Sequence, residues 1–361
     1  MNRLKYSILL LIYYISISTA SGQDAVFSQY FSSSLYLNPC FAGLEPYLNV
    51  GVNVRNQWSK ASDQAYTTNQ LSIIAPIYKE GLRDANVGGV GLSVYQDKAG
   101  ALGYQSLGAN VSGAYNLLLG AEGKHTVTFG LQAGVIQKSL VANNLQWGSQ
   151  FDKLTSSGFN AGLPVGGFNS DPSTFGSVNN TVTASKLLVD IGAGIMYYYR
   201  AGRPRREKGA SFWAGYSGYH LNGANESFVP GSVSKLPILN KAIAGFEFTL
   251  GSRFNISPNA LVAMQAGNTQ INAGTYITYM LVEPDAGMLP SDIIIGGWYR
   301  VGDSFIASVG LASKVYTLGF SFDLNTSNLS KATNSFGAWE VSLKIQKPRK
   351  EKVKRYYTPR I

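Results

Sequence analysis

The chain has 361 residues, only 14% of them charged, with 40 Gly, 22 Tyr, a single Cys and a formal net charge of +10. That charge content is low for a soluble domain, and one Cys excludes an internal disulfide. Residues 347–361 carry more than half of the positive excess, so the basic balance is local and does not point to nucleic acid.

Residues 1–22 have the form of a secretory signal. Arg3 and Lys5 lie ahead of an apolar core from Ile8 to Ile17, and small residues from Ser18 to Gly22 offer a cleavage site before Gln23. No later apolar run is long enough for a spanning helix, and mean hydropathy sits near zero. Residues 23–46 form a second unit, an extended plug or turn. It carries Phe27, Tyr30, Phe31, Tyr36 and Phe41, interrupted by Ser32-Ser33-Ser34 and by Asn38-Pro39. Pro39 has no N–H to donate and biases Asn38 away from helix. Cys40 follows Pro39 far beyond the apolar core, which suits a small packed residue better than a lipid acceptor.

From residue 47 the pattern has period two. Leu48, Val50, Val52 and Val54 share one face, and Asn49, Gly51, Asn53 and Arg55 the other. Side chains alternate across a strand, so one face suits lipid and the other a wetter interior. The split recurs along the chain to Trp339-Val341-Leu343-Ile345, opposite Glu340, Ser342, Lys344 and Gln346. Strands are predicted at 47–59, 66–78, 86–97, 103–118, 124–138, 186–200, 209–221, 236–250, 256–266, 270–282, 291–300, 304–312, 315–324 and 335–346. The fold class is all-β: a transmembrane antiparallel barrel of about 14 strands over residues 47–346, with periplasmic termini and long extracellular loops. Pro258 is expected to fit only the first residues of its strand. The long turn 283–290 raises the question of whether the count slips there. Trp58, Tyr66, Tyr78, Tyr95, Trp147, Tyr197 to Tyr199, Trp213, Trp298, Tyr299 and Trp339 lie near strand ends, as interfacial girdles do.

Two segments could meet partners. The connection 139–185 is long for a hairpin, and its Phe151, Phe159, Phe168 and Phe175 could fold over the barrel mouth or bind cargo. The tail 347–361 holds Lys347, Arg349, Lys350, Lys352, Lys354 and Arg355, then Tyr356 and Tyr357 as a short apolar anchor. It reads either as a solvated end or as a contact for an acidic periplasmic surface. Catalytic chemistry finds no support. His220 has no nucleophile placed for acyl transfer, and His125, in a turn, has no partner motif. No metal-ligand spacing occurs, so neither metal nor cofactor is expected. Gly88-Gly89-Val90-Gly91 lacks the Lys-Ser/Thr of a phosphate loop and sits in a strand pattern, where Gly relieves crowding.

The opening QDAVFSQYFSSSLYLNPCFAG resembles that of the PorP/SprF family of outer-membrane proteins, with Cys40 where a smaller residue is usual. Arg55-Asn56-Gln57-Trp58, the stretch from Gly297 to Asp303, and Glu340-Val341-Ser342-Leu343 carry the resemblance to the end of the chain. It implies a non-enzymatic barrel of the type IX secretion and gliding machinery. The partners it implies are outer-membrane lipid, a secreted cargo or adhesin, the periplasmic ring lipoprotein complex and other type IX barrels. A passive solute channel and an outer-membrane lipid hydrolase stand as alternatives.

Overall fold

The computed structural model describes residues 24–45, 47–60, 65–78, 86–100, 103–119, 124–143, 176–178, 181–200, 209–228, 231–250, 253–282 and 289–347. Two one-turn helices, α1 (Ser34–Leu37) and α2 (Phe41–Leu44), precede the strands. The strands are β1 (Leu48–Gln57), β2 (Tyr66–Tyr78), β3 (Asn86–Ala99), β4 (Tyr104–Leu119), β5 (His125–Asn143), β6 (Gly176–Val178), β7 (Thr181–Arg200), β8 (Gly209–Tyr219), β9 (Leu239–Leu250), β10 (Phe254–Gln265), β11 (Asn268–Met280), β12 (Asp292–Arg300), β13 (Ser304–Ala312), β14 (Tyr316–Asn325) and β15 (Phe336–Lys347). A helical turn, α3 (Ser330–Thr333), sits between the last two.

Every strand runs antiparallel to its neighbours. β1 pairs with β15, as in Val52 with Leu343, and β5 pairs with β7, as in Gly130 with Gly194. These two seams close the sheet into a ring of fourteen strands, with β6 as a short ribbon on the end of β7. Closure removes the open edges whose N–H and C=O groups hydrocarbon cannot satisfy. Burial follows the alternation. In β13, Phe305, Val309 and Leu311 are exposed while Ser304, Ile306 and Ser308 are buried. Leu131 is 69% exposed and Leu187 is 67% exposed, which marks an outer face solvated by lipid rather than water.

All fourteen predicted strands occur, and the pairing of Met280 with Asp292 across residues 281–291 keeps the count. β5 and β7 run further than their alternation suggested, pairing out to Asn143 and Thr181. Beyond the lipid nothing imposes a dry face, so the polar Ser139 and Ser185 break the pattern without breaking the ladder. Pro258 lies well inside β10 rather than at its start. The β10–β11 ladder continues through Pro258, while the β9–β10 ladder skips Ser257 and Pro258, so the missing donor faces β9. His125 begins β5 instead of lying in a turn, and its Nδ1 meets the Tyr197 hydroxyl at 2.7 Å. Residues 151, 159, 168 and 175 and the tail beyond Lys347 lie outside the described residues.

The core of the molecule is in the lumen. Residues 24–45 run from the rim opposite the chain ends of the barrel down to Glu45, beside the Leu48–Lys347 rim. Tyr30, Phe31, Leu37, Cys40, Phe41 and Leu44 pack against Met196, Tyr198, Trp213, Ile243, Tyr276 and Trp298 of the wall. Asn38 is extended, as the following Pro39 requires, but the chain on either side coils into α1 and α2 instead of staying extended. Trp213 and Trp298, expected in an interfacial girdle, are buried and face inward; Phe31 meets Trp213 edge-on at 5.1 Å between ring centroids.

Wall glycines give this segment room. A Cβ at Gly89 would lie 1.9 Å from the Ala42 carbonyl oxygen, and one at Gly130 would lie 2.5 Å from the Cys40 nitrogen. Both obstacles are backbone and cannot turn aside. Gly130→Val should therefore leave the ring intact and unseat the plug, since overpacking of this kind costs about 1–3 kcal/mol or more. Chymotrypsin digestion of folded barrels should then cut residues 27–41 roughly tenfold faster than in the wild type. Unchanged protection would show that the glycine is not needed for seating.

Candidate functional site: a plug latched inside the barrel

The plug is fastened at three places, two at the rim far from the chain ends and one near them. At the rim far from the chain ends, Glu340 accepts the amide protons of Ser28 at 2.7 Å and Gln29 at 3.0 Å. Its position on the inward face of β15 follows from strand parity, and it lies across the seam from Arg55 of β1. Arg55 donates to Asp323 at 2.9 Å, to Glu340 at 3.3 Å and to the Ser28 hydroxyl at 2.5 Å. Arg300 reaches the same hydroxyl at 2.9 Å, Asp323 at 3.2 Å and Asp303 at 2.9 Å. Ser28 in turn donates to Asp323 at 2.8 Å. Asn53 donates to Glu340, Ser32 and Ser33 at 2.8–2.9 Å, and Ser342 donates to Gln29 at 2.7 Å. Buried charges need this saturation, because an unpaired one costs several kcal/mol.

A second fastening joins the start of the segment to the end of β8. His220 stands just past that strand with φ of +60°, a left-handed conformation set by the turn into Leu221. Its Nδ1 meets Asp190 at 2.8 Å and its Nε2 meets Asp24 at 2.5 Å. Both ring nitrogens face carboxylates, so both must donate and the ring is held as imidazolium. Burial alone would lower its pKa, but the bonds to Asp190 and Asp24 prevail and raise it to about 9. Burial would likewise raise the Asp24 carboxyl, yet His220 holds it below the usual value.

The third place lies near the chain ends. Asn116 donates to the Gly43 carbonyl at 2.6 Å and Asn86 donates to the same oxygen. Lys344 pairs with Glu45 at 2.5 Å. Between the rims, Tyr30 and Trp298 both donate to Asn259, Ser217 donates to the Leu37 carbonyl at 2.9 Å, and Cys40 lies with its sulfur 3.3 Å from the Thr128 carbonyl oxygen. Fully buried, Cys40 acts as a small packed residue.

Of the residues proposed from sequence for partner binding, Lys347 alone lies among those described, at the end of β15. The latch residues Arg55, Arg300 and Glu340 stood in the quoted motifs, and Gln29 and Ser28 in the opening stretch. Asp190, Asp323 and Asn259 carried no motif; only their inward parity on a strand marks them.

A closed antiparallel ring with a lipid-facing apolar surface, its lumen filled by a fixed N-terminal segment, is the architecture of a plugged outer-membrane β-barrel. The model of the type IX secretion system membrane protein PorP/SprF family matches residues 19–345, and the chain belongs to that family. It is a non-enzymatic protein of the outer membrane. A search of the curated proteins finds no match. Among solved structures, the toluene transporter TbuX of Ralstonia pickettii is similar at 12% identity, covering 88% of this chain and 93% of its own, with a TM-score of 0.48. The Pseudomonas putida toluene transporter TodX is similar at 13% identity over 87% of this chain and 93% of its own, with a TM-score of 0.44. A Pseudomonas aeruginosa FadL homologue is similar at 9% identity over 87% and 94%, with a TM-score of 0.43. At these values the likeness carries no functional argument.

Two outcomes are expected of the latch. Arg55→Met leaves Glu340 without a cation and Asp323 with Arg300 alone, and should destabilise the folded barrel by about 3–5 kcal/mol. The temperature at which its gel mobility shifts to that of the unfolded chain should fall, and adding Glu340→Gln should recover part of the loss. The His220 tether gives a pH signature. Its folded pKa exceeds the unfolded value of about 6.5, so its stabilisation is complete below that pH and is lost as pH rises through about 9. The same mobility midpoint, measured from about pH 6 to 10, should fall more steeply in the wild type than in His220→Gln.

Proposed function

We propose that this barrel is a non-conducting platform of the type IX machinery that delivers or anchors a secreted surface protein. The observation that supports the reading is the plug: bonds at both rims and between them fix it inside the lumen, which speaks against the passive solute channel. The lipid hydrolase loses its base as well, because both nitrogens of His220 are committed to carboxylates.

In bacterial barrels the chain ends face the periplasm, so the Leu48–Lys347 rim is the periplasmic one on this reading. Residues 1–22 are removed on export. The connection with Phe151, Phe159, Phe168 and Phe175 then meets cargo at the cell surface, and the basic tail from Lys347 through Tyr357 faces the periplasmic ring complex. Planar-bilayer recording and affinity purification from outer membranes test this together. The wild type should show no steady ion conductance and should retain a secreted surface protein. Deleting residues 158–177 should lower that retention, and truncation after Gln346 should lower co-purification of ring proteins, most at moderate salt. Steady conductance by the wild type, with no secreted protein retained, would return the channel reading.

A further inference from the structure

A cavity of about 330 Å³ lies in the lumen at the rim opposite the chain ends, between the start of the plug, the inward faces of β3 to β5 and the connection after β8. Its size falls within the range of small-ligand sites, about 300–1,000 Å³. Tyr36, Tyr95 and Tyr104 line it together with the carboxylates of Asp24, Asp97 and Glu226. Two of these acids are engaged. Asp24 is held by His220, and Glu226 pairs with Lys138, which also lines the cavity. Asp97 differs: it accepts one hydrogen bond, from the Thr68 hydroxyl at 2.7 Å, and no cation touches it among the described residues. Tyr95 is 8% exposed, lines the cavity and meets the Tyr36 ring edge-on at 5.3 Å between centroids. The same aromatic cluster already holds one lysine amino group. Lys241 places its Nζ 3.9 Å from the centre of the Tyr36 ring and 4.8 Å from that of Tyr219, while donating to the Tyr36 carbonyl at 2.6 Å.

We propose that this cavity is a receptor for one cationic group, an alkylammonium or guanidinium, with Asp97 as its counter-ion and Tyr95 and Tyr104 as its walls. A carboxylate removed from water attracts a cation strongly, and tyrosine faces add to that attraction when the cation is desolvated. Glu226 neutralises Lys138 at the cavity edge, so this lysine does not repel a cation held at Asp97. The assignment does not depend on what the barrel carries.

Titration calorimetry on the full-length barrel in detergent tests it. Nα-acetyl-lysine amide should bind at least tenfold tighter than the neutral Nα-acetyl-norleucine amide, whose side chain ends one heavy atom earlier in a methyl group. Asp97→Asn should weaken lysine amide binding about tenfold or more and leave norleucine amide unchanged. Glu226→Gln frees the Lys138 charge and should weaken the cation too. Cadaverine and a lysine-bearing peptide separate the sources: equal binding identifies a free organic cation, and tighter binding of the peptide identifies a polypeptide side chain. Equal affinity of the wild type for the lysine and norleucine amides would overturn the proposal, a result that needs no variant to fold. So would an Asp97→Asn barrel, folded by gel mobility, that binds lysine amide as the wild type does.

Discussion

Glu340 receives the amide protons of two consecutive plug residues, Ser28 and Gln29, while Arg55 and Asn53 hold its oxygens from the neighbouring strand. A carboxylate with no exposure needs every one of these donors. Arg55 is in turn shared with Asp323, and Asp323 with Arg300, so four strands and the plug answer to one network. The barrel supplies donors and acceptors that water cannot reach, and the plug supplies the chain that uses them. Neither half is satisfied alone.

This dependence explains which parts of the fold were legible in the sequence. Strands announced themselves, because a ring with lipid outside and polar groups inside forces period two along nearly every segment. The paired ends of β5 and β7, where polar residues interrupt the alternation, stayed hidden. The tryptophans misled for a related reason. Composition near a strand end is the same for an interfacial girdle and for a packed lumen; only parity separates them. Trp298 shares its face with Ile294 and Arg300, both buried, and that could have been counted.

The site was half legible. The opening stretch, Arg55, Arg300 and Glu340 were each visible as separate motifs tied together by family resemblance. Their convergence was not, because Ser28 and Glu340 are 312 residues apart and nothing local records a long-range contact. Aspartates 190 and 323 were invisible, since an acid on the polar parity of a strand looks the same whether it faces water or a buried guanidinium. The run Gly88-Gly89-Val90-Gly91, by contrast, was read correctly as relief from crowding, and the structure identifies what crowds Gly89 and Gly91: the Ala42 carbonyl and the Leu35 side chain of the plug.

The order of folding follows from where the latch is built. The plug is the first of the described segments in the chain, yet the seat for Ser28 and Gln29 lies on β1, β12, β14 and β15. That seat does not exist until the last strand has joined the first. Contacts of such separation are slow to form, because a long loop must close before any of its bonds is gained. Sealing the β1–β15 seam and seating the segment are therefore one late step, and an incomplete ring would present both an open edge and an unplugged lumen to whatever inserts it into the membrane.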